Sequence, residues 1–184
     1  LQNCSFRGAI LNHADLSKSD LKDISFSSSE FEKAKFNSTC ISNSTFENHG
    51  DRAEFRNATL SNVDFNEVSL REAVFTSASG ADINFNECVL RKSDMSRVKF
   101  DGIEITKSGL NGIDLQNSRF DDASLNEVSF KSADLSNLKL QDALLKDTKI
   151  IASTLEQAIL RDTTLHGGLI DEVTLAGANF SKVD

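Results

Sequence analysis

The residues in this sequence that could do chemistry are scattered or too common to define an active site. The three histidines, His13, His49 and His166, are far apart, and none has a cysteine or carboxylate at metal-ligand spacing. Gly167-Gly168 follows no phosphate-loop pattern, and we expect it to ease a corner. Aspartate and serine are so abundant that a catalytic triad has no meaning without geometry. We therefore predict a protein that is not an enzyme and has no cofactor or metal.

Carboxylates nevertheless recur at intervals of about 20 residues, a period typical of stacked repeats. Stacked in coils of that length, they would form two neighbouring acidic columns with carboxylates about 5 Å apart along the axis. Gly102 interrupts the first column and Lys107 the second. The candidate interaction residues are Asp82, Asp122, Asp142 and Asp162 in the first column, and Glu67, Glu87, Glu127 and Asp147 in the second.

The acidic columns have two interpretations. They could imitate a phosphate backbone and steer a basic protein groove toward them. They could equally be the solvated face of an acidic protein, which discourages aggregation. We favour the second interpretation, because function cannot be inferred from a likeness of fold alone. Lys99, Arg119 and Lys139 run beside the first column and are expected to neutralise part of it.

The elements that position these side chains follow from a repeat of five residues. From Leu115 to Leu140 a large apolar residue returns at every fifth position, here named the central position. On an α-helix, residues five apart point in different directions, so no single face would be apolar. A straight strand would turn alternate apolar residues outward. The residue two before each central position, here named the inward position, is small or aliphatic, so the chain must turn a corner every five residues and stack in coils.

A longer echo indicates the number of sides in each coil. Related segments begin at Phe65, Phe85 and Leu125, at intervals of 20 and then 40 residues. Four sides of five residues are the simplest interpretation. The sequence therefore predicts an all-β, four-sided parallel β-helix of about nine coils, spanning 1–184 as a single domain.

Residue types are sorted cleanly by this register. All 13 phenylalanines are central, and none of the 48 charged residues is central or inward. The register breaks at 47–54, where one residue is missing, and we expect Gly50 to relax a corner there. Gly80 is predicted to be the single vacant central position. The alignment stacks Phe26, Phe46, Phe65 and Phe85 in one column, and Phe36, Phe55 and Phe75 in another.

Two further sets of polar residues are expected to be structural. Asp94, Asp114 and Asp134 precede central residues, where a side chain can hold a corner. Asn66, Asn86 and Asn126 repeat beside the second acidic column and are predicted to form a hydrogen-bonded ladder.

Composition limits the partners. The net charge of −8 argues against nucleic acid as a direct ligand and permits a basic protein partner. No apolar run reaches the length of a membrane span. Cys4 and Cys88 are predicted to face inward and Cys40 outward, with no disulfide framework. The compartment stays open between the cytoplasm and secretion as an effector domain.

The repeat resembles that of the pentapeptide-repeat proteins. Ala14-Asp-Leu-Ser-Lys, Ala133-Asp-Leu-Ser-Asn and Ala178-Asn-Phe-Ser-Lys are similar to the Ala-(Asp/Asn)-Leu-X-X unit of that family, and the resemblance covers essentially all of 1–184. It implies a right-handed β-helix whose coil length matches the long echo. Some members, the quinolone-resistance proteins, look like DNA duplexes to type II topoisomerases. This chain lacks that group's long inserted loops and C-terminal dimerisation helix.

Two functions follow from this resemblance and the repeat. The first is a rigid protein-interaction or scaffold domain, which we expect to be part of a longer, bacterial protein. Its open coil ends would expose unpaired strand edges, which another segment should cover and which allow end-to-end association. The alternative is a DNA mimic that binds a type II topoisomerase such as gyrase through the acidic columns.

Overall fold

The computed structural model describes all 184 residues, which form a parallel β-solenoid without helices. It has about eight turns rather than the predicted nine. The strands are β1 Asp20–Lys22, β2 Ser25–Glu30, β3 Cys40–His49, β4 Thr59–Ser69, β5 Ser79–Asn86, β6 Lys99–Asp101, β7 Glu104–Thr106, β8 Ser124–Asn126, β9 Ser129–Lys131, β10 Leu144–Lys146, β11 Lys149–Ile151, β12 Thr164–His166 and β13 Leu169–Asp171.

Every strand pair is parallel, as a coil that always winds in one direction requires. The main ten-stranded sheet follows the order β1-β3-β4-β5-β7-β8-β10-β12, with β2 beside β3 and β6 beside β5. A second sheet contains β13, β11 and β9. Leu145 pairs with Leu125 on one side and with Leu165 on the other, which is the advance that the long echo predicts. The echo in the sequence is therefore one turn of the solenoid.

The missing residue of the register break lies between Glu47 and Asn48. Phe46 pairs with Phe65, whereas Asn48 pairs with Val68, so the offset between partners grows by one at this point. The expectation that Gly50 relaxes a corner is wrong. Gly50 is buried, and an added β-carbon there would overlap the ring of Phe31. Gly50 therefore occupies a second vacant central position, besides Gly80.

The core is one continuous column of 46 buried hydrophobic residues. No charged residue is buried, as the register predicts. The two phenylalanine columns are confirmed by stacked rings, with centroids 4.7 Å apart between Phe65 and Phe85 and also between Phe55 and Phe75. Edge-on contacts join the columns, for example between Phe65 and Phe75 at 5.9 Å. These rings make the first half of the core aromatic, and aliphatic residues fill most of the second half.

Polar residues at inward positions satisfy their hydroxyl groups with main-chain carbonyls. Ser118 Oγ donates to the carbonyl oxygen of Met95 at 2.7 Å, and Thr163 Oγ1 donates to that of Leu140 at 2.7 Å. Because an unpaired hydroxyl in the core would cost about 1–3 kcal/mol, only a side chain short enough to reach the main chain can replace alanine or valine there.

Each corner is made by a residue in the left-handed backbone region. Positive φ occurs two residues after a central residue on every side of the solenoid, at glycines such as Gly167 (φ +68°) and at non-glycine residues such as Ala152 (φ +48°). Glycine, asparagine and aspartate tolerate this conformation best. The corner geometry thus favours some of the residue types that form the acidic columns.

Candidate interaction surface

All eight predicted interaction residues lie at these left-handed corners. Their φ angles fall between +49° (Glu67) and +55° (Glu127). Seven of the eight are exposed, and Asp162 is half-buried. The four residues of each column therefore occupy equivalent corners on one edge of the solenoid, held at about 4.8 Å per turn by the parallel ladder.

Cations contact the columns at three points. Lys107 Nζ lies 3.6 Å from Glu87 Oε1, so the lysine that interrupts the second column neutralises its neighbour. Asp162 contacts both Arg161 Nε at 3.2 Å and Lys182 Nζ at 3.3 Å. The contacts of Arg161 and Lys182 were not predicted, although Lys182 lies one coil after Asp162, a spacing that indicates their proximity. The other six residues form no ion pair, and four of them, Asp122, Glu127, Asp142 and Asp147, are neighbours on two consecutive coils.

None of the three cations expected to neutralise part of the first column forms an ion pair with a residue of that column. Arg119 pairs with Asp121, on the flat side next to Asp122, and Lys99 and Lys139 form no ion pair. The three are neighbours in one ladder, Lys99 beside Arg119 and Arg119 beside Lys139. The three residues precede the corner by three positions, and the partial neutralisation of the column by their charge stays a prediction.

A depression of about 380 Å³ lies next to Glu67, where the register shifts. Its lining is entirely polar and consists of Ser28, Glu47, Asn48, Asn66 and Glu67. The coil that lacks one residue leaves this gap in the outer wall. The second acidic column consequently ends against a notch rather than continuing along the edge.

The predicted asparagine ladder is also wrong. Asn66, Asn86 and Asn126 make no side-chain hydrogen bond with one another; Thr106 stands between the last two, and the buried Asn126 Oδ1 has no partner. A hydrogen-bonded chain exists instead in line with the first acidic column. Asn62 Nδ2 donates to Asn43 Oδ1 at 3.1 Å, and Asn43 Nδ2 donates to Asp23 Oδ1 at 2.9 Å. Side chains at the left-handed corners can reach along the axis to the next coil, so the row of the first acidic column continues toward the N-terminus as hydrogen-bonded amides.

Asp94, Asp114 and Asp134 hold corners, as expected. Each carboxylate accepts a hydrogen bond from the main-chain N–H two residues later, at 2.9 Å for Asp94 and Asp114 and 3.0 Å for Asp134. Burial raises the pKa of Asp114, and the neighbouring carboxylates of Asp94 and Asp134 add to that rise. Burial also acts to raise the pKa of Asp94 and Asp134, but their hydrogen bonds outweigh it and leave both lowered. The three aspartates therefore stabilise corners, and the ionised form of the middle one, Asp114, is disfavoured by burial and by its two neighbours.

The histidines and cysteines remain separate in space. His13 lies at a left-handed corner, His49 in β3 beside Asp51 and Arg71, and His166 in β12. Cys40 is exposed and Cys88 is buried, as predicted, while Cys4 is half-buried. No group of three or more histidine, cysteine, aspartate or glutamate side chains is arranged to hold a metal ion. No helix of membrane-spanning length and apolarity is present.

Sequence comparisons identify the repeat. A profile described as a pentapeptide repeat region matches residues 49–124, and one described as pentapeptide repeats (8 copies) matches 1–27, 9–48 and 110–147. Together the two profiles cover 1–147 without a gap. A comparison with the curated proteins found no match.

Solved structures with similar folds include those of HetL, Rfr23 and QnrB1. HetL, a pentapeptide repeat protein of the cyanobacterium Nostoc involved in heterocyst differentiation regulation, is 24% identical, with a TM-score of 0.52 over 100% of this chain and 84% of HetL. Rfr23, a pentapeptide repeat protein of the cyanobacterium Cyanothece, is 28% identical, with a TM-score of 0.46 over 50% of this chain and 60% of Rfr23. A trypsin-treated form of QnrB1, a plasmid-mediated fluoroquinolone resistance protein, is 17% identical, with a TM-score of 0.43 over 100% of this chain and 91% of QnrB1. The two repeat profiles, together with the stacked coils of the fold, show that the chain belongs to the pentapeptide-repeat proteins.

Proposed function

We propose that this solenoid is a non-catalytic, rigid protein-interaction domain, and that its acidic columns bind a basic surface of a protein partner. The observation that carries the proposal is the exposure of Asp122, Glu127, Asp142 and Asp147 at corners fixed by the backbone ladder. A rigid array loses little conformational freedom when it binds, so its charges are already placed for a complementary surface. Net charge of −8 adds long-range attraction for a basic partner.

The test compares two charge-reversed variants with the same change in net charge. Asp122→Lys with Glu127→Lys reverses the centre of the columns. Asp20→Lys with Glu156→Lys reverses two exposed carboxylates elsewhere that form no ion pair and serves as the matched control. In a pull-down from the source cells, we expect the proteins recovered by the native chain to be lost with the first variant and kept with the second. Recovery of the same proteins by all three chains would contradict the proposal.

The alternative partner is a type II topoisomerase, for which the columns would replace the phosphates of DNA. The regular spacing of exposed carboxylates along one edge supports this version. Gly102 and the ion pair between Lys107 and Glu87 weigh against it, because both interrupt the run of negative charge. Supercoiling by gyrase in the presence of micromolar protein separates the two versions. A DNA mimic inhibits the reaction, and Asp122→Lys with Glu127→Lys abolishes that inhibition.

A further inference from the structure

One side of this acidic solenoid has no acidic residue over four consecutive coils and carries cations on three of them. It has the central residues Leu90, Leu110, Phe130 and Ile150, and its outward positions run from Val89 to Ala152. These positions carry Arg91, Lys92, Lys131 and Lys149, here named the basic face, and no aspartate or glutamate. All four side chains belong to exposed residues, and none is in an ion pair. A protein with a net charge of −8 thus presents four unneutralised cations on one side.

The coil between Lys92 and Lys131 presents only small or neutral residues, Gly109, Asn111 and Gly112. A β-carbon added to Gly109 would have no atom within 4 Å, whereas one added to Gly112 would lie 3.4 Å from Lys92 Cγ. Their N–H groups are already used, since Gly109 donates to the carbonyl oxygen of Cys88 and Gly112 to that of Lys131. A ligand on this strip would therefore make only van der Waals contacts with the glycine backbone, and the lysine and arginine side chains would hold it.

Acidic residues border the strip on both edges. Glu87, Glu127 and Asp147 lie at the preceding corner, and Asp94 and Asp114 begin the following side. One side of the coil is roughly 10 Å wide, which is the length of three extended residues. A nucleic-acid duplex is wider than this strip and would bring its phosphates against the bordering carboxylates. A single extended polypeptide fits between them.

We propose that the basic face binds an extended acidic segment of a protein partner. Along the axis, Arg91 and Lys131 are two coils apart, roughly 10 Å, and acidic residues three apart in an extended peptide have the same separation. Carboxylates at that interval would meet Arg91 or Lys92 at one end and Lys131 or Lys149 at the other. The basic face lies on the side that follows the second acidic column, whose Glu87, Glu127 and Asp147 form one of its borders.

The experiment measures binding of a fluorescent ten-residue polyglutamate peptide to the full chain by anisotropy, at low and at physiological salt. Lys92→Glu with Lys131→Glu reverses the basic face. Lys22→Glu with Lys139→Glu, which reverses two exposed lysines outside ion pairs on another side, is the matched control. We expect the peptide to bind the native chain and the control, and the first variant to lose about tenfold in affinity or more, since two charge contacts become repulsive. Circular dichroism verifies that each variant is folded.

Three results would overturn the proposal. The first is no binding of polyglutamate by the native chain even at low salt. The second is equal weakening in both variants, which would mean that only net charge matters. The third is binding of a ten-nucleotide oligothymidylate as tight as that of the peptide and lost with the same lysines, which would assign the surface to a single-stranded nucleic acid.

Discussion

The ring of Phe31 fills the space that a side chain at Gly50 would need. Gly50 is the central residue that follows the missing position, one coil beyond Phe31 and one before Leu70. Elsewhere on this side, large residues such as Leu70 and Leu90 stack at central positions. In the shortened coil the Phe31 ring therefore fills the space left by the missing side chain of Gly50. The register break and this glycine together keep the core filled.

Replacing Gly50 with alanine should destabilise the protein by about 1–3 kcal/mol, because the added β-carbon overlaps the Phe31 ring in a close-packed core. Urea unfolding followed by circular dichroism measures the loss. Gly109→Ala is the control, since no atom lies within 4 Å of its added β-carbon and its stability should be unchanged or slightly higher. Phe31→Leu should recover part of the loss in the Gly50→Ala background, and equal losses for the two alanine variants would show that the Phe31 contact is unimportant.

Phe65→Leu should cost more stability than Phe130→Leu. Phe65 stacks between Phe46 at 5.0 Å and Phe85 at 4.7 Å and also meets two rings edge-on, whereas Phe130 contacts no other ring. Aromatic pairs contribute about 0.5–1.5 kcal/mol beyond the area they bury, so the difference should be about 1–3 kcal/mol. Both variants are compared by their midpoints in urea. Equal midpoints would mean that the stacked columns add only hydrophobic area.

Ala152→Gly should stabilise the solenoid by about 1 kcal/mol, because Ala152 is exposed at a left-handed corner, with φ of +48°, which a β-carbon disfavours. The matched control is Ala81→Gly in β5, where φ is negative and glycine should cost roughly 0.5–1 kcal/mol. Thermal unfolding should therefore shift in opposite directions for the two variants. A lower midpoint for Ala152→Gly would contradict the role assigned to the corners.

Asp114→Asn should raise stability at pH 7 and lose that advantage in acid. The pKa of Asp114 is raised in the folded protein, first by burial and then by Asp94 and Asp134. The folded state therefore holds the proton more tightly than the unfolded state, and stability falls as pH rises through the window between the two pKa values. Asparagine removes this penalty and keeps an oxygen for the Gln116 N–H. Urea midpoints between pH 3 and pH 7 measure the effect.

Asp134→Asn should change stability at neutral pH in the direction opposite to Asp114→Asn. Burial raises the pKa of Asp134, but hydrogen bonds from Ser136 and Gln116 leave it lowered. Its stabilising contribution is present above the unfolded pKa and is lost as pH falls through the folded pKa. This variant should therefore be less stable than the native chain at neutral pH. The same sign for both variants would show that the neighbours do not distinguish these carboxylates.

The cysteines should react with a thiol reagent at very different rates. Burial raises the pKa of Cys88 to about 12, so its reactive thiolate is scarce at neutral pH, whereas Cys40 is exposed. Ellman's reagent should modify Cys40 rapidly and Cys88 only when urea unfolds the protein. Cys40→Ser should remove the fast phase, and Cys88→Ser should leave it unchanged. Rapid modification of Cys88 in the native chain would mean that the core opens.

The inward-facing residues could be predicted from the amino-acid sequence alone. All 13 phenylalanines and every charged residue could be assigned from the five-residue period, because inside and outside alternate within a short segment and leave their pattern there. The coil length followed from the longer echo for the same reason. The acidic columns were predictable as rows on this basis, and so were the structural aspartates at 94, 114 and 134.

The contacts of the outward residues, in contrast, depend on how the coils stack. Arg119 chooses Asp121 rather than Asp122, the amides form their chain at Asn43 and Asn62 rather than at Asn66 and Asn86, and Gly50 takes a central position beneath Phe31. These outcomes depend on the direction in which a side chain leaves a left-handed corner or a flat side, and on atoms one turn away. A local pattern places a residue on a coil, but its partners come from the neighbouring coils, which meet it only when the solenoid stacks.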